Sequence, residues 1–380
     1  MIRTRLQPGD PGLAAKLRGA VEGEVRFDAL TRGIYATDAS HYQVEPLGVV
    51  VPKSVDDVRA VLEIAREEGA PVLPRGAGTS QCGQTVGRAI VVDTSRHLTT
   101  IEPYRGDGHV EVEPGVVLER LNEALRPHGL WFPVDPSTAS RATLGGMAGN
   151  DSAGARSLRY GTMADNVTAA DVLLADGRRV RLGEGSTAER DMPAELAALR
   201  ALYAREAEEI ARRTPATLRN VAGYALERLV PARENLAKLL VGSEGTLAFF
   251  TRLRLALRPL PERRALGVCR FPGLLEALGT VQHIVGLGPS AVELVDRTVL
   301  GLARSRPAWR AVLDAVVPGE PGAVLLVELA AEPGEPDPAP RLRDLSRLLA
   351  ELGFPEAVAP VTEPARQAAV WKVREAGLSI

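Results

Sequence analysis

The stretch PVLPRGAGTSQCGQTVGRAIVVD, residues 71–93, places two apolar, strand-like runs on either side of a turn too rich in glycine to be a helix. Two neighbouring strands normally need either a tight hairpin or a helical crossover, and the turn at 76–89 is neither. Upstream, LGVVVP (47–52) reads as a buried strand. Ser54 then caps a helix, with Asp57 three residues on as the acidic half of a capping box. Val58, Val61, Leu62 and Ala65 share one helix face, and Gly69 and Pro71 end it. The spacing therefore predicts a β-α-β unit whose next crossover is a glycine loop.

That loop lacks both common phosphate signatures. No Gly-Lys-Ser/Thr closes it, which excludes a Walker loop. Gly76-Ala77-Gly78 runs into Thr79, Ser80, Gln81, Cys82 and Gly83, and then a strand, so no helix follows as a dinucleotide fingerprint requires. A phosphate would have to be held by successive backbone N–H groups, aided by the Thr79 and Ser80 hydroxyls. Alone, such a loop is equally well a plain sheet-edge turn. Two further glycine-rich loops, TLGGMAGNDSAGARS (143–157) and GSEG (242–245), also stand beside strands. Together they favour a long ligand lying across several strand ends, and an adenine dinucleotide is the natural candidate.

The rest of the chain alternates short elements. HVEVEPG (109–115) reads as a strand and 117–125 as an amphipathic helix. VTAADVLLADGRRVRLG reads as a hairpin turning at Asp176-Gly177, and 193–213 as a long helix. After PLPERR the texture changes to two successive β-α-β units, which suggest a ferredoxin-like α+β layer and a domain boundary near 262. A final helical pattern, capped at Thr362, runs to Ile380, so the layer reads as unfinished and the chain as the front part of something longer.

Length and charge narrow the classes further. At 380 residues and 45% hydrophobic the chain can bury at least one large core, and a net charge of −2 gives no pull toward nucleic acid or an anionic membrane surface. Cys82 and Cys269, far apart, make neither a metal motif nor four-thiolate ligation of an iron–sulfur cluster. The N-terminal residues lack an apolar core of signal-peptide length, and no run suits a membrane-spanning helix. The expectation is a cytoplasmic protein, or one peripheral at the inner membrane.

PRGAGTS, then RATLGGMAGNDSAGARSLRYG, then GSEGT, in that order, resemble the FAD-binding domain of vanillyl-alcohol-oxidase-type flavoproteins. YATDASHYQVEPLGVVVPKSVDDV extends the likeness. Within that family the chain is most similar to the FAD-linked 2-hydroxy-acid dehydrogenases and oxidases acting on D-lactate, glycolate and D-2-hydroxyglutarate. Nearest is the bacterial type in which a flavin domain is fused to an iron–sulfur region. The resemblance implies an α+β fold: a two-subdomain FAD-binding domain over 1–262 (about 1–105 and 106–262), followed by a partial ferredoxin-like cap domain over 263–380, truncated at its C-terminus.

It also implies site residues. Arg75, Gly76, Ala77, Gly78, Thr79 and Ser80 would cradle the pyrophosphate, with Gln84 in the same loop. Pro136, Ser137, Thr143, Gly145, Gly146, Asn150, Ser152, Ala153 and Gly154 would line the flavin and its phosphates. Glu244 and Gly245 would lie near the adenine ribose or support the loop that does. Some relatives attach FAD through a histidine where this chain has Thr79 or Ser80, so the FAD is expected to be non-covalent.

Arg374, in VWKVREAG, matches an arginine that grips the substrate carboxylate in relatives; read without the motif it is an ordinary helix arginine. The hydroxyglutarate relatives carry a Thr where this chain has Leu378, which leaves the substrate open. His41, His97, His109, His128 and His283 show no metal-ligand spacing, and no metal is expected; of these His41, close to Asp38 and Ser40, stands in the motif-rich stretch. Cys82 is expected to pack as a small loop residue.

The function implied is FAD-dependent oxidation of a small D-2-hydroxy carboxylate. Partners would be the hydroxy acid and an iron–sulfur region or acceptor protein that takes the electrons. Two alternatives stand beside it: a flavin-binding fragment or subunit without turnover of its own, and a different oxidoreductase on the same FAD fold.

Overall fold

A computed structural model of the chain describes residues 6–376 apart from 218, 222, 232 and 233. It divides into two compact units. The first comprises Met1–Phe132, Thr138–Ser152 and Thr162–Arg258; the second comprises Pro133–Ser137, Ala153–Gly161 and Pro259–Ile380.

The first unit holds two four-stranded sheets. In one, strand Gly48–Val51 runs parallel to Ile90–Asp93, which runs parallel to Val72–Arg75, and Glu24–Arg26 joins antiparallel at the other edge. The pairs Val72↔Ile90 and Arg75↔Asp93 confirm that residues 76–89 cross between parallel strands without a helix. Helices Pro11–Ala20 and Val55–Glu68 cover one face, with Leu17, Val58, Val61, Ile90 and Val92 fully buried between the layers. The other sheet is antiparallel: His109–Val112, Phe249–Ala256, Val167–Leu173, Arg179–Gly183, in that order. Its hairpin closes at Leu173↔Arg179, where Gly177 takes φ +88°.

The capping box expected at Ser54 is only half formed. Ser54 Oγ accepts from the Asp57 N–H at 3.2 Å. The Asp57 carboxylate instead takes three backbone N–H groups, from Lys53 (2.8 Å), Glu22 (2.9 Å) and Gly23 (3.0 Å). Three donors outweigh the single reciprocal bond of a box, and Asp57 becomes a buried pin between the helix and the edge strand.

In the second unit one antiparallel sheet runs Ala291–Asp296, Ala323–Ala331, Arg263–Phe271, Val358–Val361. Numbered along the chain this order is 2-3-1-4, the ferredoxin-like arrangement. Helices Leu274–Val285 and Arg341–Glu351 cover one face through Ala277, Ile284, Leu345 and Leu349. Helices Arg297–Ser305, Pro307–Val316 and Pro364–Ala376 cover the other through Leu300, Leu313, Val370 and Val373. Covered on both faces, Ala323–Ala331 is buried at every position, which explains its continuous apolar run. Glu328 is its one charged residue.

Candidate functional site: a glycine-lined cleft and a buried ion cluster

All three glycine stretches contribute to one cleft in the first unit, lined among others by Gly76, Gln84, Gly145, Gly146, Glu244 and Gly245. In the first loop the N–H groups of Ala77, Gly78, Thr79 and Ser80 have no hydrogen-bond acceptor among the described residues. Four successive free amides are the nest that an oxyanion needs. Arg75 holds this loop: its guanidinium donates to the carbonyls of Tyr35 (3.1 Å), Thr85 (3.0 Å) and Thr37 (2.8 Å), and lies 5.1 Å from the centroid of the Tyr35 ring. Tyr35 in turn donates to Asp93 at 2.5 Å, and burial together with Asp93 raises its phenol well above the ordinary range. Cys82, expected to pack as a small loop residue, is exposed in that loop.

The second stretch corrects the sequence reading. Leu144–Asn150 is a short helix with Thr143 at its N-cap and Asp151, at φ +47°, closing it. Glycine is needed here for approach: a Cβ on Gly145 would stand 2.5 Å from Pro114 Cβ, and one on Gly76 would stand 2.0 Å from Thr143 Oγ1. Thr143 makes no cap bond, its hydroxyl is buried without a partner, and the Gly146 N–H finds no acceptor among the described residues. A buried hydroxyl left unpaired costs free energy, so this corner of the cleft is built for a polar ligand. A phosphate ester or a flavin edge would satisfy it. Asn150 and Ser152 bond to each other at 3.0 Å at the helix end.

The third stretch docks on that helix. Gly242 and Glu244 donate to the carbonyls of Ala148 and Gly149, both at 2.9 Å. Glu244 holds a left-handed φ of +52°, uncommon for a residue with a side chain, and Gly245 closes against Pro74, where a Cβ would sit 3.0 Å from Pro74 Cγ. Gln84 hydrogen-bonds the Glu244 carboxyl and accepts from Ser80 Oγ, so loops one and three are tied across the cleft. Burial pushes the Glu244 carboxyl up to about 6 although Gln84 pulls it down.

Pro136, Ser137, Ala153 and Gly154 belong to the second unit. A Cβ on Gly154 would stand 2.2 Å from the Asp135 carbonyl oxygen, and its N–H donates to Ser157 Oγ at 2.9 Å. Arg156, two residues on, is the centre of a cluster that sequence reading missed. It donates to Glu328 through Nε (2.8 Å) and Nη2 (2.6 Å), to Asp135 through Nη1 (2.6 Å), and faces the Trp371 ring at 5.2 Å. Burial alone would raise the Glu328 carboxyl; Arg156 outweighs it and holds Glu328 below its usual range. Arg374 meets Glu293, its Nε and Nη2 both reaching Oε2 at 2.7 and 2.5 Å. Its Nη1 has no partner among the described residues. Leu378 lies outside the described residues.

Comparison with known proteins gives this architecture its family. Residues 46–183 match the FAD binding domain, and residues 260–379 match the C-terminal domain of FAD linked oxidases. The chain carries both domains of the FAD-linked oxidases. The chain is 33% identical over 316 residues to a D-2-hydroxyglutarate dehydrogenase of Pseudomonas putida, covering 80% of this chain and 31% of that protein. It is 35% identical over 316 residues to the Escherichia coli protein of the same name, covering 77% and 30%. With the glycolate oxidase subunit GlcD of Bacillus subtilis it shares 30% over 287 residues, covering 74% and 52%. The chain thus spans about a third of the length of the hydroxyglutarate dehydrogenases it matches.

Among solved structures, alkyldihydroxyacetonephosphate synthase superposes with a TM-score of 0.68 at 15% identity, over 97% of this chain and 65% of that one. That likeness shows the fold. The cofactor of the oxidase domain is FAD, and the unpaired Thr143 hydroxyl, the free amides of 77–80 and the glycines that clear the cleft fit it. Among the described residues no helix is long and apolar enough to cross a membrane, and no cluster of His, Cys, Asp or Glu could hold a metal ion.

Proposed function

We propose that this chain is the flavin-bearing part of a dehydrogenase that oxidises a small D-2-hydroxy carboxylate of the lactate, glycolate or 2-hydroxyglutarate class. The observation that carries this reading is the combined match: one FAD domain, one FAD-linked oxidase C-terminal domain, and 2-hydroxy-acid enzymes at 30–35% identity. Bound FAD supplies the hydride acceptor, and the protein supplies position and electrostatics.

The amides of 77–80, with Gly76, the Thr143 hydroxyl and the Gly146 N–H, hold the nucleotide without a covalent bond. In the second unit Arg374 offers the substrate carboxylate its free Nη1, a donor set suited to a planar anion, while Glu293 fixes the other edge of the guanidinium. The electrons pass to an iron–sulfur region or a separate acceptor protein. One observation favours a second reading, a flavin-binding part with no turnover by itself: the chain covers only about a third of its hydroxyglutarate-oxidising relatives. Adding D-lactate, glycolate and D-2-hydroxyglutarate anaerobically to the FAD-loaded protein separates the two. Bleaching of the yellow colour by one of them supports the dehydrogenase; retained colour with all three supports the second reading.

A further inference from the structure

Glu244 falls outside the stretch matched to the FAD binding domain, yet its side chain lines the same cleft as Gly76 and Gly146. Its backbone is held in a left-handed turn by the bond to Gly149, which fixes where the side chain leaves the main chain. Among the described residues its side-chain partner is the neutral amide of Gln84.

Among the described residues no cation acts on this carboxyl. On strand Val72–Arg75, Arg75 is committed to three carbonyls. The crossing loop brings Cys82 and Arg88, both exposed. Helix Leu144–Asn150 carries no ionisable side chain, and Asp151 at its end accepts from the Ala164 N–H at 2.9 Å. On strand Phe249–Ala256, Arg252 pairs with Glu102 and Arg254 with Asp107 and Glu184. Tyr224 bonds Thr246 Oγ1 at 2.8 Å. A half-buried carboxyl without a counter-ion thus shares a cleft with the place where a pyrophosphate, itself anionic, must go. Burial already favours its neutral form, and the arriving negative charge favours it further.

We propose that Glu244 enters the FAD complex as the neutral acid, donating a hydrogen bond inside the cleft, so that each FAD bound takes up one proton. The inference rests on FAD occupying this cleft and adds to it a linkage between cofactor affinity and pH.

The test is titration of flavin-free protein with FAD, followed by calorimetry in two buffers of different ionisation enthalpy and by flavin fluorescence across the neutral range. FAD has no group of its own that titrates near neutrality. The wild type should take up about one proton per FAD near neutral pH, and its affinity should fall by up to roughly tenfold per pH unit above about pH 6. Glu244→Gln, which keeps a hydrogen-bond donor without the charge, should take up none and bind with little pH dependence. FAD binding by the wild type without proton uptake would overturn the inference and leave the flavin reading standing. Uptake that persists in Glu244→Gln would overturn it too. A wild type that binds no FAD at all would remove the flavin reading and this inference together. The wild-type proton count needs no variant, so a folding defect in Glu244→Gln does not spoil the test.

Discussion

Arg156 lays its Nε and Nη2 against the two carboxylate oxygens of Glu328, at 2.8 and 2.6 Å, across 172 residues of sequence. Ser290 donates to Oε1 of the same carboxylate at 2.8 Å, and Glu328 is only 1% exposed. Removing one member of a buried pair costs about 3–5 kcal/mol when the other charge is left uncompensated; here Asp135 still pairs with Arg156. Glu328→Ala should therefore lose less than that, about 2 kcal/mol, in urea denaturation of the second unit's transition. The Glu328 carboxyl lies below its usual range in the folded protein, so its stabilisation is complete above the unfolded value near 4.5 and is lost as pH falls through the lower folded value. An acid titration of wild type against Glu328→Gln should show that loss in the wild type only.

Thr143→Val tests the unpaired hydroxyl. The side chains are close in shape, and the wild-type hydroxyl is buried without a partner. Stability of the flavin-free protein should stay level or rise slightly. FAD affinity should fall by about 1–2 kcal/mol, on the order of tenfold. Equilibrium dialysis alongside a thermal melt reads both effects.

Gly76→Ala should be far more damaging, because its Cβ would meet Thr143 Oγ1 at 2.0 Å. The expected outcome is a folded protein with FAD binding weakened by about 100-fold or more, a closed approach rather than a lost bond. Circular dichroism would confirm the fold, and retained yellow colour after gel filtration would contradict the expectation.

Arg374→Ala should leave FAD binding unchanged and raise the dissociation constant for a carboxylate ligand by roughly 30-fold or more. Perturbation of the flavin spectrum by oxalate or D-lactate reads this directly. Arg374→Lys should recover only part of it, since an ammonium lacks the planar fork that Glu293 and a substrate would share.

FAD should also come away freely. Neither Thr79 nor Ser80 carries a ring nitrogen that could bond the flavin, so acid precipitation should leave the yellow colour in the supernatant.

Much of this was legible in the sequence because it is local. The alternation of strand and helix after residue 262 is a matter of periodicity, and it led to the 2-3-1-4 sheet. The Asp176-Gly177 turn announced its hairpin. The three glycine loops, each beside a strand, come together at one cleft. What failed to show depended on distant partners. Asp57 has the spacing of a capping box, but the N–H groups of Glu22 and Gly23, more than thirty residues away, claim its carboxylate. Residues 144–150 look too glycine-rich for a helix; the helix forms because Gly145 must pass close to Pro114 and because Gly242 and Glu244 bond its far end. Nothing near Arg156 or Arg374 names Glu328 or Glu293, since each pairing exists only once the second unit's sheet is assembled.

The parallel strands Val72–Arg75 and Ile90–Asp93 are spanned by a loop where most proteins would lay a helix. FAD bound against this loop would act as a strut as well as a reagent, its binding free energy adding to that of the folded chain. Heat tolerance should accordingly track vitamin supply: cells short of riboflavin would hold a softer protein, by simple mass action, and feeding the precursor would harden it.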